Sequence, residues 1–181
     1  WMNPETVSSW IDDNTSSNSE DNSLIGLQPR EEWLVIVVDF EEHPAAPGLD
    51  IKQAENMLTG TNGIQEYLNQ LSGGTVQLNL TIYQEVVRAE HSVEYYGSDA
   101  NGERDVGISK DGSNGPATLA EQVVNDLSDV LEWENWDLDG DKVVDRLLIL
   151  HTSRPQEDSG GSNKIWSHFG PMTESIDVGD G

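Results

Sequence analysis

Cysteine is absent from the chain and basic residues are scarce: 9 Lys and Arg stand against 34 Asp and Glu, a formal charge of -25. Without cysteine there are no disulfides and no thiolate metal sites, so a transition metal has to be held by His and carboxylate. The shortage of positive charge argues against nucleic acid and membrane surfaces as partners, because counterion release and lipid headgroups both call for cations. A salty or cation-rich setting, which screens self-repulsion, suits such a surface. No run of about 18 apolar residues occurs, so no segment reads as a membrane-spanning helix. No signal peptide is recognisable either; the chain opens at Trp1, and residues 175–181 close no element, so both ends read as cuts.

What is present suffices for one domain, or most of one, with a full core. Residues 1–31 are rich in Ser, Asn, Asp and Glu without period and read as a disordered leader, propeptide or linker, which leaves 32–181 as the domain. Trp33 to Phe40 is a continuous β-branched run, the pattern of a central strand covered on both faces. Asp50 reads as the N-cap of a helix carrying Ile51, Ala54, Met57 and Leu58, and a second helix follows Gly63. Alternation from Val76 to Ile82 marks a half-exposed strand, with Val86-Val87 as its continuation or neighbour. After a long Gly/Asp/Ser/Asn segment, Pro116 opens the strongest helix, with Leu119, Val123, Val124, Leu127, Val130 and Leu131 on one stripe. This order predicts an α/β domain, with α+β open: a layered mixed sheet with packed helices.

The most informative stretch is Asp137 to His151. Carboxylates at Asp137, Asp139, Asp141 and Asp145 precede the apolar run ending at Leu150. An EF-hand-type calcium loop takes side chains at positions 1, 3 and 5, a backbone carbonyl at 7 and a water-bridged ligand at 9. These positions fall on Asp137, Asp139, Asp141, Val143 and Asp145. Position 6 is Lys142 where that motif has Gly, and position 12 is Leu148 where it has Glu, so the prediction is a shorter calcium site of another kind. The competing reading is an acidic surface turn, but four like charges within nine residues repel unless something neutralises them.

Several pieces, in order, resemble one family: Leu34 to Phe40, the turn and strand from Tyr67 to Leu80, Tyr95-Tyr96-Gly97, the Asp137–Asp145 loop, the strand ending in His151, and Ile165-Trp166-Ser167-His168. The chain is similar over about residues 33–170 to the immune inhibitor A type of secreted zinc metallopeptidases, the sixth "M" family of peptidases. The resemblance implies a metzincin-like N-terminal subdomain, an extracellular setting, a protein or peptide substrate and zinc as cofactor; a monomer is expected. The zinc of such a peptidase is held by H-E-x-x-H on one helix, whose Glu is the general base. His43, His91, His151 and His168 form no such motif, so no catalytic residue is expected in this chain, which should be inactive alone. His151 and His168, with Glu157 or Asp158, are the one alternative zinc set, although a lone strand-end His is more often structural. Trp166 reads as a core or cleft-wall aromatic. A calcium-dependent binding or adhesion module without catalysis is the alternative function; a carboxylate glycosidase is a third, with no acid pair standing out.

Overall fold

A computed structural model describes residues 25–46, 48–158, 161–170, 172 and 176–178. Most of the expected leader, residues 1–24, lies outside the described residues. Arg30 and Glu31, which the sequence reading places in that leader, are the first residues of strand β1 (Arg30–Asp39). From Leu34 to Val38 this strand is at most 3% exposed. The β-branched run accounts for that, since every alternate side chain finds a covering layer. Leu34, Ile36, Val38 and Phe40 point into one core, and Val37 points into another with Ile51 and Ala54. Each such aliphatic contributes about 1.5–3 kcal/mol by leaving water.

The first crossover is α1 (Leu49–Thr59) and α2 (Ile64–Leu71), leading into β2 (Gln77–Arg88). The cap of α1 is Gly48, held at φ 81°, in place of the expected Asp50. Asp50 lies inside the first turn, where its carboxylate accepts the Ala46 amide at 2.5 Å and favours the positive helix end. Val86-Val87 belongs to the same strand as Leu78, which passes a register shift opposite Val35 to Val37.

The second crossover carries α3 (Val93–Gly97) and α4 (Pro116–Leu127). Pro116 opens α4 as expected, and Leu119, Val123, Val124 and Leu127 bury its stripe against β1. The helix stops at Leu127, so Val130, placed on that stripe by spacing, is 57% exposed. A 3-10 turn, Trp133–Trp136, buries both indoles edge to face instead. The Trp133 ring N–H donates to the Leu127 carbonyl at 3.2 Å, joining the Val130 and Leu131 amides on that acceptor at the helix end.

β3 (Leu147–His151) completes a three-stranded sheet of order β2-β1-β3. Both pairings are parallel, so the α/β class holds, and where a mixed sheet was expected the described strands are all parallel. Parallel strands require long crossovers, here the two helical connections. The carboxyl ends at Asp39, Arg88 and His151 therefore share one edge, where ligands of open α/β sheets bind. Among the described residues no helix is long and apolar enough to cross a membrane.

Candidate metal centre

The aspartate loop links the tryptophan turn to β3 and is folded by its own carboxylates. Asp137 accepts the Gly140 amide at 2.7 Å and the Lys142 amide at 2.9 Å. Asp145 accepts the Leu138 amide at 2.7 Å, and its own amide returns to the Trp136 carbonyl at 3.0 Å. One oxygen from each of Asp137, Asp139 and Asp145 lies within 4.8 Å of the others. At that spacing two carboxylates repel by about 1 kcal/mol in water and several times more near a protein surface. Burial raises the Asp145 carboxyl above its ordinary value and the Asp139 and Asp141 charges add to this, against the Leu138 hydrogen bond. A divalent cation converts the same repulsion into attraction.

Two expected members stand apart. Asp141 is not in the cluster; its carboxylate accepts the Val143 amide at 2.8 Å, and Val143 enters the turn through that N–H. Lys142, at the position the calcium motif gives to Gly, has φ 74°. The backbone thus adopts the left-handed conformation the motif demands, with a residue that tolerates it less well than Gly.

Along the shared strand edge, Arg88 clasps Asp39 through two hydrogen bonds of 2.5 and 2.8 Å, and the Ala45 amide adds a third. Thr152 donates to the His43 carbonyl at 2.5 Å. Lys164 Nζ lies 2.6 Å from His43 Nε2, and an ammonium can only donate, so that ring nitrogen is the acceptor. Glu42, His43, Asp50, His151 and Thr152 line a cleft there with the flank of α1. Burial holds His151 below the usual imidazole value, and its Nδ1 lies 3.0 Å from the Ser153 hydroxyl.

His151 and His168 do not form the alternative zinc set. His168 is bonded through Nε2 to Asp105 at 2.5 Å, and Glu157 accepts the Ser167 hydroxyl. Among the described residues, the acid cluster of the loop is the one group of three or more His, Asp or Glu side chains with ligand atoms close enough to share a metal, and it contains no His. An all-oxygen donor set suits a hard cation and not zinc, which prefers imidazole and thiolate in part of its shell. Zinc therefore does not fit the described residues, and no step of catalysis is routed through it here.

Trp166 lies under the Arg104 guanidinium, 3.9 Å from the ring centroid, and is half-buried, so it is not a core residue. Its amide donates to Asp105, whose side chain is fully buried. Asp105, Asp99 and Gln156 form a polar knot that the sequence reading missed. The length of the loop after α3 was its one signal, since no local spacing joins residues 57 positions apart.

None of the curated proteins compared with the chain matches it. The family model for the immune inhibitor A peptidase M6, catalytic domain, matches residues 48–180, a span that holds the aspartate loop, β3 and the Ile165–His168 segment. That match covers most of the chain, which therefore belongs to the immune inhibitor A peptidase family, metallopeptidases acting on proteins or peptides.

Proposed function

We propose that this chain is the N-terminal, sheet-building part of the catalytic domain of a secreted zinc metalloendopeptidase. Its aspartate loop binds structural calcium, and its zinc ligands and general base come from an H-E-x-x-H helix outside these 181 residues. The observation that carries this reading is the catalytic-domain match over residues 48–180 in a sequence that has no H-E-x-x-H. The present residues set the sheet and one wall of the cleft at its carboxyl edge. Asp137, Asp139 and Asp145 supply the core of the calcium shell, with Asp141, the Val143 carbonyl and water completing the six to eight oxygens calcium takes.

Calcium here stabilises by linkage, because it binds the folded loop and not the unfolded chain. At a hundredfold excess over Kd that contributes about 2.7 kcal/mol. A chelator should lower the melting temperature of the chain, added calcium should restore it, and Asp139→Asn should abolish the response. An unchanged melting temperature on chelation removes calcium from the reading. The peptidase assignment has its own test: the chain alone should leave casein intact, and the parent reading frame should encode H-E-x-x-H on an amphipathic helix. A frame without that helix, or hydrolysis by the isolated chain, overturns it.

A further inference from the structure

We propose that Asp99, Asp105 and Gln156 hold a second hard divalent cation of calcium type, which fastens the loop after α3 to the segment that follows β3. The side chain of Asp105 has no solvent exposure, and its Oδ2 accepts both the Trp166 amide at 2.9 Å and His168 Nε2 at 2.5 Å. Its other oxygen, Oδ1, is buried with no partner. Gln156 donates its side-chain amide to Asp99 Oδ2 at 2.8 Å, which leaves its Oε1 buried and also without a partner. Turning that amide over does not help, because it would press a carbonyl oxygen against a carboxylate. Among the described residues these two atoms are the only orphaned buried side-chain oxygens or nitrogens. Both belong to residues bonded to one carboxylate, since Asp99 Oδ1 accepts the Asp105 amide at 3.1 Å.

The chemistry of the knot selects the ligand. Two carboxylates and an amide carbonyl are all acceptors, and among the described ion pairs the one cationic partner of either carboxylate is His168, which meets only Asp105 Oδ2. Arg104, next in sequence to Asp105, is stacked on Trp166. A water brings two protons to such a set and no charge; a divalent cation accepts every lone pair and cancels both charges. Oxygen ligands that include an amide carbonyl, held on two separate connecting segments, match calcium, whereas magnesium demands near-octahedral order and zinc prefers nitrogen or sulfur. The backbone ties the loop to that segment where the Asp99 amide donates to the Ser162 carbonyl, and the segment closes on itself where the Gln156 amide donates to the Ile165 carbonyl, each at 3.0 Å. This site is separate from the aspartate loop and shares no residue with it.

The test uses the full chain, stripped with a chelator, in a background of Asp137→Asn with Asp139→Asn that silences the loop. Calorimetric titration with Ca²⁺ should still show one ion, with a Kd on the order of 0.1–1 mM as for weak extracellular sites. Asp99→Asn and Gln156→Leu, each checked for folding by circular dichroism, should weaken that ion at least tenfold. Terbium in place of calcium, excited through tryptophan, should emit from the background protein, and Trp166→Phe should quench most of that emission. No residual ion in the background, or one unaffected by Asp99→Asn and Gln156→Leu, overturns the proposal. Should those two variants fail to fold, the Trp166→Phe emission decides alone, and undiminished emission overturns it. Equal stoichiometry in wild type and background would instead sink the loop site while this one stands.

Discussion

Arg146 reaches back across 115 residues to Glu31, its Nε 2.8 Å from Oε2, and Glu31 is completely buried. The Trp33 indole donates to the same carboxylate at 2.6 Å and the Gln28 amide at 2.7 Å. The arginine also hydrogen-bonds the Ile25 carbonyl at 3.0 Å. One ion pair thus seals the amino end of β1 against the approach to β3.

Removing one partner of that pair strands the other. Glu31→Gln or Arg146→Met should each destabilise the fold by about 3–5 kcal/mol, while the paired apolar replacement Glu31→Leu with Arg146→Met should recover much of the loss. Denaturant unfolding of the two singles and the double measures this; single variants as stable as wild type would contradict it. Burial pushes the Glu31 carboxyl up, but the hydrogen bonds from Arg146, Gln28 and Trp33 outweigh it and leave the value below the ordinary 4.5. The unfolded chain then binds the proton more readily. The associated stability is present above about pH 4.5 and is lost as pH falls through the lower, folded value.

His151 should impose a second pH dependence at a higher pH. Burial lowers its value below the ordinary 6.5, the Ser153 hydrogen bond and the Glu157 charge opposing, with Lys164 and His43 pushing the same way as burial. The unfolded chain takes up this proton first, so stability holds above about pH 6.5 and declines as pH falls toward the folded value. Melting temperatures between about pH 8 and pH 5.5 should show the decline, and His151→Gln should flatten it. A slope that survives the substitution assigns the effect elsewhere.

Lys142→Gly should stabilise the metal-free chain. A left-handed residue other than Gly costs about 1–2 kcal/mol, of which the extra freedom of unfolded glycine takes back about 0.5–1. The net gain of about 0.5–1 kcal/mol is readable by denaturant titration. Lys142→Val, with its branched carbon at φ 74°, should lose stability by the same measure.

Gly97 closes α3 where the segment after β3 passes over it. A Cβ there would sit 2.5 Å from the Lys164 carbonyl carbon and 2.6 Å from the Ile165 nitrogen, backbone atoms that cannot swing aside. Gly97→Ala should therefore cost about 1–3 kcal/mol or lift that segment away. Amide exchange across residues 161–168 reads the result, and unchanged protection would show that the segment has room to move.

The parts of the fold visible in the sequence are those written in short periods. The two-sided apolar run of β1, the Pro116 start of α4 and the aspartates of the loop each announce themselves within a dozen residues. Spacing overshot where helix gave way to turn: Val130 keeps the period of α4 but lies beyond its last residue. The one-dimensional pattern also does not reveal which aspartate oxygens converge: those of Asp137, Asp139 and Asp145 do, while Asp141 accepts the Val143 amide at the side of that cluster. The Glu31–Arg146 pair and the Asp105–His168 contact join residues 115 and 63 positions apart, so no local pattern encodes them.

The placement of β1 between two later strands sets the timetable of synthesis. Its most apolar segment leaves the ribosome first, yet the residue that anchors its amino end lies 115 positions downstream. At about 5–20 residues per second, that interval is roughly 6–23 s. Throughout it, a bare edge of Leu, Val and Ile can pair with a strand of another nascent chain. The strong acidity of the protein then has a second use, as like-charged chains at the polysome hold one another apart until the sheet closes.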